Sequence, residues 1–325
     1  MASALEMDIR RIVTDSDLDG VVTAAILRRN WPDAEIVFGH PGELRAGLLD
    51  DFIDPRTAVC DLPRHPECGL SIDHHLSNEP AEEDDGDSVV IWRPTPSAAR
   101  IAFDLVSEKI DVSDLGELLH WVDKLDGGGI SYDEYLSDNP FVLLGRVVDD
   151  GESTAMKILV SIQNGKDVGS ILSDDSIANI LKEKVEQRNI ISEKIRSSLE
   201  LVDRLAIVRF ENLGIRSNGY HVTSMVGDGC DACIVIHGKV GASFGNEGEY
   251  PVSASFYTNS FLHRDGGIYD LTKLATNFDS DGGGHANACG CRIMPTRSDD
   301  GIVRGIDVED NIATWRKMWG NRSSG

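Results

Sequence analysis

Within residues 1–150, short apolar runs alternate with helix-patterned segments, and that alternation leaves few folds open. Ile9 to Val13, Glu35 to Phe38, Thr57 to Cys60, Leu70 to Ile72 and Ser88 to Trp92 read as strands. Between them, Gly20 to Arg29 reads as a helix. Further on, Ser97 behind Pro96 reads as the N-cap of a helix reaching about Lys109, and Asp114 to Asp123 as another. Strand and helix in alternation specify an α/β domain with a parallel sheet. Ligands of such sheets gather at the carboxyl ends of the strands. Asp15, Asp61 and Asp73 each sit just past an expected strand, which makes them the first residues of interest.

The texture changes in the second half. Residues 175–203 carry apolar residues at helical spacing without Gly or Pro, which predicts one long helix. From Leu205 follow the runs LAIVRF, CDACIVIHG and PVSASFY, a helix near 269–278 and a loop DSDGGGHANACG. A chain of 325 residues exceeds the usual single core. The expected organisation is a parallel-sheet domain over 1–174, a linking helix over 175–203, a smaller mixed-sheet domain over 204–296 and an extension over 297–325. No role is assigned to that extension, although it holds Trp315 and Trp319.

Charge narrows the function. The chain carries 55 acids against 31 bases, a net charge of −24. Residues 1–150 hold 32 acids and 12 bases, whereas 204–296 hold 9 and 7. Without a basic run, a long nucleic-acid duplex is a poor partner. No apolar run is long enough to span a bilayer, the start MASALEMDIRR lacks an export-signal core, and the 6 cysteines are sparse. These features predict a cytoplasmic protein with reduced thiols and no membrane association. Cys230-Asp231-Ala232-Cys233, with Cys289-Gly290-Cys291 as a second pair, has zinc-like spacing, but buried thiols are the preferred reading.

Three motifs carry chemistry. Asp15-Ser16-Asp17-Leu18-Asp19-Gly20 alternates three carboxylates in a strand-to-helix loop, where mutual repulsion calls for a hard divalent ion; a solvated helix cap uses similar residues. It is not an EF-hand, because the twelfth position from Asp15 is Ile26. Asp73-His74-His75 offers two imidazoles behind a carboxylate that can orient a ring. Gly282-Gly283-Gly284-His285 offers backbone N–H groups and an imidazole to an anion, though a flexible turn would look the same.

In this order the motifs resemble the DHH phosphoesterase superfamily, specifically its members with a second, DHHA1-type domain. Asp15, Asp17 and Asp19 are similar to its first motif in the all-aspartate form of RecJ-like nucleases. Asp61 resembles the second motif and Asp73-His74-His75 the third. An aspartate of HWVDKLDGG resembles the fourth, with Asp123 favoured narrowly over Asp126. The resemblance covers roughly residues 8–296. It implies two divalent ions, Mn²⁺ with Mg²⁺ as the alternative. Asp61 would bridge them, with Asp15 and Asp17 on one ion and Asp19 and His74 on the other. His75 would either support a metal ligand from behind or face the phosphate, and Gly283, Gly284 and His285 would hold the substrate. The chain departs from the family where a phosphate-gripping serine-arginine pair is expected: Thr258 and Asn259 stand there, and Arg264 is the candidate substitute.

The resulting expectation is a two-metal phosphoesterase of short oligonucleotides, dinucleotides or nucleoside bisphosphates, with Asp61, His74, His75 and His285 as catalytic residues. Hydrolysis of inorganic polyphosphate or pyrophosphate, and a non-catalytic DHH scaffold, are the rival readings; a homodimer is compatible with each.

Overall fold

The computed structural model describes residues 4–81, 87–240, 242, 251–264, 266–280, 282–293, 295 and 305–322. The chain divides into two compact units, one of residues 1–130 and 137–184, the other of 131–136 and 185–325.

The first unit contains β1 (Arg11–Thr14), α1 (Leu18–Leu27), β2 (Glu35–Phe38), α2 (Pro41–Arg45), β3 (Thr57–Cys60), β4 (Leu70–Asp73), β5 (Val89–Trp92), α3 (Ala98–Val106) and α4 (Gly116–Asp126). After α5 (Tyr132–Leu136), which belongs to the second unit, come α6 (Pro140–Val148), α7 (Glu152–Gln163), α8 (Val168–Leu172) and the start of α9 (Asp175–Ser198). The sheet runs β2-β1-β3-β4-β5, every pair parallel. β3 and β4 are buried along their whole length while the edge strands β2 and β5 are partly open, as expected where layers cover both faces.

Alternation along the strands divides the core. Ile12, Ala58, Cys60, Leu70 and Ile72 join the large cluster built with α1, α3, α4, α6 and α7. Val13 and Val59 point the other way, onto Leu44, Leu49, Ile53 and Leu62. Helix α1 is buried all round, which explains its nearly uniform run of small and apolar residues.

The second unit holds β6 (Glu200–Val202), β7 (Leu205–Arg209), α10 (Gly219–Val226), β8 (Ala232–His237), β9 (Ser253–Thr258), α11 (Thr272–Ala275), β10 (Gly283–His285), β11 (Ala288–Arg292) and α12 (Val308–Gly320). Its sheet runs β10-β11-β9-β8-β7-β6, with only the β7–β8 pair parallel. A mixed sheet is therefore present, as the sequence led us to expect.

Three local expectations change. The long helix stops at Ser198, because residues 200–202 pair with β7 across a turn in which Asp203 and Arg204 adopt φ of 48° and 64°. The helix expected near 269–278 shortens to Thr272–Ala275. The glycine run is not a loop: Gly283 to His285 form an edge strand against Ala288 to Gly290, with Gly284 at φ +134°.

Helix α12 belongs to the second core. Val308, Ile312, Trp315 and Trp319 recur at helical spacing and are buried there, and the two indoles donate to the carbonyls of Leu274 (3.0 Å) and Asp203 (2.9 Å). The cysteines are all free and buried. Cys230 and Cys233 lie in one apolar cluster of this unit and Cys289 and Cys291 in another, so they do not assemble a four-thiolate zinc site.

Candidate metal centre

β1 is flanked by β2 and β3, so the chain leaves it to one side and returns on the other. Such a switch of direction opens a crevice at the carboxyl ends of the strands. Asp15, Asp17 and Asp19 follow β1, Asp61 follows β3, and Asp73, His74 and His75 lie at or just past the end of β4. The far-apart motifs of the sequence thus meet at one sheet edge.

His74 is the pivot. Its Nδ1 lies 3.1 Å from the carbonyl oxygen of Thr95. A carbonyl only accepts, so Nδ1 carries the proton and, in the neutral ring, Nε2 presents its lone pair. That buried Nε2 makes no hydrogen bond, yet stands 3.5 Å from Asp19, 3.5 Å from Asp61 and 3.2 Å from Asp126. An orphaned imidazole nitrogen among carboxylates, its other nitrogen tied to a carbonyl, is the donor set of a divalent metal ligand. Two overlapping groups have the spacing to hold an ion: Asp61, His74 and His75, and Asp19, His74 and Asp126. The residues present therefore fit a divalent metal.

The carboxylates are held in place. Asp19, 2% exposed, accepts the N–H groups of Ala98 (2.7 Å) and Ala99 (2.8 Å) at the start of α3. Asp17 caps α1 by accepting from Gly20 N at 2.9 Å, and Asp15 accepts from Ser16 N at 2.6 Å. Asp61 is 4% exposed and sits at φ +56°, a left-handed conformation that costs a non-glycine residue about 1–2 kcal/mol. Strain of this kind persists where the surroundings over-determine it, as at functional sites. Asp73 is occupied by its neighbours: Oδ1 accepts from the backbone of His74 and His75 and from His75 Nδ1 (2.8 Å), and Oδ2 from Asn78 at 2.7 Å.

So much negative charge is costly without a cation. Burial, then neighbouring carboxylates, push Asp61 and Asp19 well above the usual carboxylate range; burial also raises Asp126. Burial and the charges of Asp15, Asp126 and Asp149 push Asp17 up to about 7. Because over a third of Asp17 faces solvent, repulsion is the firmer part of that cause. Burial would raise Asp73 too, but the hydrogen bonds from His75 and Asn78 outweigh it and lower the carboxyl, while the bond to Asp73 raises His75.

Of the two fourth-motif candidates, the structure brings Asp126 to His74. Asp123, the narrowly favoured one, is engaged elsewhere: Oδ1 accepts from Ser97 Oγ at 2.6 Å and Oδ2 from the Arg100 guanidinium. Asp15 and Asp17 belong to neither of the two groups, although their charges reach Asp61. In the second unit Gly283 and Gly284 are residues of the edge strand β10, Arg264 is exposed, and Thr258 bonds Asn287 at 3.1 Å. Asn259 is buried and spans the carbonyls of Gly227 and Cys230. His285 is described by its backbone alone, its side chain lying outside the described part.

Sequence reasoning passed over His40, whose Nδ1 lies 3.1 Å from Asp15 Oδ1. It follows β2 as Asp15 follows β1, so the same strand-end rule could have found it. Asn78, Thr95 and Arg100 left no such trace, since their roles depend on contacts between elements.

No protein-family model and no curated protein matches the sequence. Solved structures do match. The pGpG-specific phosphodiesterase PggH from Vibrio cholerae superimposes with a TM-score of 0.73 at 20% identity, over 97% of this chain and 99% of that one. The DHH domain of a member of a ribosomal-protein family gives 0.57 at 11% identity, over 98% and 88%. RecJ in complex with Mn²⁺ from Thermus thermophilus gives 0.52 at 15% identity, over 100% of this chain but 54% of RecJ. This chain has the fold of the DHH proteins, in agreement with the order of its motifs. Among the described residues, no helix is long and apolar enough to cross a membrane.

Proposed function

We propose that this chain is a metal-dependent phosphoesterase that hydrolyses short oligonucleotides, dinucleotides or nucleoside bisphosphates. The unpartnered Nε2 of His74, aimed at Asp19, Asp61 and Asp126, carries the proposal. The likeness to a pGpG-specific phosphodiesterase over nearly the whole of both chains supports a dinucleotide-sized substrate.

Two Mn²⁺ ions, or Mg²⁺ in their place, would be held by Asp15, Asp17, Asp19, Asp61, His74 and Asp126. Bound there, divalent ions supply Lewis acidity and a water acidified enough to attack phosphorus. The chain's own residues do the rest. Asp61, buried and carried on a left-handed backbone at the end of β3, would offer its carboxylate to the ions. His74 is kept in one tautomer by the Thr95 carbonyl. His75, held by Asp73 and partly exposed, is placed to donate a hydrogen bond from its ring to a phosphate oxygen or to the departing group. Gly283, Gly284, His285 and Arg264 are the proposed substrate contacts of the second unit.

The preference for small substrates rests on charge. Residues 204–296 have 7 bases and no basic track, which suits one or two phosphates better than a long polyanion. That scarcity also disfavours polyphosphate. A cytoplasmic location and a homodimer accord with this reading.

The test is to incubate the purified full-length protein and Mn²⁺ with pGpG, pAp, a long single strand and polyphosphate. Fastest turnover of pGpG or pAp is expected. Faster turnover of the long strand or of polyphosphate would refute the substrate class.

A further inference from the structure

We infer that Arg100 is a positioning residue of the metal centre: by pinning Asp123 against Ser97 it fixes the N-terminus of α3, and with it Asp19 and the ring of His74. The inference rests on the metal-centre reading above and extends it to residues that would touch neither metal nor substrate.

Arg100 lies in the first turn of α3, where a cation opposes the helix dipole, so its presence there needs another cause. That cause is Asp123 of α4, whose Oδ2 accepts from Arg100 Nε at 3.0 Å and from Nη2, a two-pronged grip on one carboxylate. The other oxygen of Asp123 accepts from Ser97 Oγ at 2.6 Å. Ser97 is wholly buried and is the N-cap of α3, its Oγ accepting in turn from Arg100 N at 3.1 Å. Arg100, Asp123 and Ser97 thus close a ring around the first turn of the helix.

Two lines run from this ring to the proposed ligands. Ala98 and Ala99, the residues after Ser97, donate both of their N–H groups to the carboxylate of Asp19. Thr95, two residues before, donates its hydroxyl to the Ser97 carbonyl at 2.9 Å and gives its own carbonyl to His74 Nδ1. The aim of Asp19 and the tautomer of His74 therefore depend on where the first turn of α3 sits. Neutralisation adds to this. The Arg100 guanidinium pairs its charge with the carboxylate of Asp123, which stands three residues from Asp126 on the same helix.

The rival is that Asp123 is itself a ligand, in which case Arg100 is a competitor that metal displaces. The two accounts predict opposite signs. Mn²⁺ affinity of the full-length protein is measured by calorimetry, with the thermal midpoint of the metal-free protein recorded alongside. Removing a group that orients a ligand typically lowers metal affinity about 10- to 100-fold. Arg100→Met should weaken Mn²⁺ binding by about that factor, and Arg100→Lys should recover part of the loss. Equal or tighter binding by Arg100→Met would overturn the inference. Should Arg100→Met not fold, the pair Asp123→Asn and Asp126→Asn decides. Asn keeps the hydrogen bond to Ser97, so a smaller loss for Asp123→Asn than for Asp126→Asn is expected, and an equal or larger loss overturns the inference. If the unmodified protein takes up no Mn²⁺, the metal-centre reading itself fails and the inference falls with it.

Discussion

Gly20 faces the carbonyl of Asp15 so closely that a Cβ on it would lie 2.2 Å from that oxygen and 2.8 Å from Thr14 Oγ1. The acidic loop folds back on itself at this point, and Thr14 Oγ1 donates to the Gly20 carbonyl at 3.1 Å across the same gap. The glycine at the end of DSDLDG therefore allows Asp15, Asp17 and Asp19 to share one short turn. A methyl group there must push backbone, not a flexible side chain. Gly20→Ala should destabilise the protein by about 1–3 kcal/mol, the usual range for overpacking, and weaken Mn²⁺ binding as well. Urea denaturation and calorimetry check the two effects.

Asp61 combines a left-handed backbone with a buried carboxylate among like charges. Function and stability should therefore oppose each other at this residue. Asp61→Gly removes both the strain and the charge, so the metal-free protein should melt at a higher temperature than the unmodified one. The variant should also lose Mn²⁺-dependent hydrolysis. Thermal melts in EDTA, paired with activity in Mn²⁺, check this.

The acidic cluster also sets a pH dependence. A carboxyl whose folded pKa lies above its unfolded value holds its proton more tightly when folded. Its contribution to stability is whole below about pH 4 and is lost as pH rises through the folded value. For Asp17 that window runs from 3.8 to about 7, and Asp19 and Asp61 shift in the same direction. Asp73 shifts the other way, but between about pH 5.5 and 8 it is ionised in both states and drops out. The metal-free protein should melt lower at about pH 8 than at about pH 5.5. The gain in melting temperature on adding Mn²⁺ should be larger at about pH 8, where fewer protons compete for the ligands.

Helix α12 closes the second core with two fully buried indoles. Trp315 packs edge-on to Phe256 and Phe278, at 5.1 and 6.0 Å between ring centroids. Trp315→Ala should cost about 3–5 kcal/mol, as truncating a buried aromatic does. Because Trp315 lies in the second unit, Mn²⁺ affinity at the His74 cluster should change little. Chemical denaturation and calorimetry separate these outcomes.

The contrast between α12 and the acidic loops explains what could be read from the chain alone. Strands β2 and β3 were legible to the residue, because a short apolar run between turn residues is a local signal. The parallel sheet then brought Asp15, Asp61 and Asp73 to one edge by rule. The spacing of Val308, Ile312, Trp315 and Trp319 was equally regular, but no adjoining motif gave it a partner to cover. Asp123 and Asp126 stand three residues apart on one helix, about 60° of rotation. Choosing between them required knowing that Arg100 of another helix faces the first. The glycine run looked like a loop because its partner strand, Ala288 to Arg292, reads ACGCR and has no β-branched or aromatic residue to announce it.

The most direct test of the metal centre is pGpG hydrolysis by the unmodified protein and by Asp61→Asn, each with Mn²⁺ and after chelation. The account predicts turnover that disappears with chelation, and a loss of about a thousandfold or more in a folded Asp61→Asn protein, in line with removal of a group central to catalysis. Hydrolysis that survives chelation, or an Asp61→Asn protein as active as the unmodified one, would contradict it.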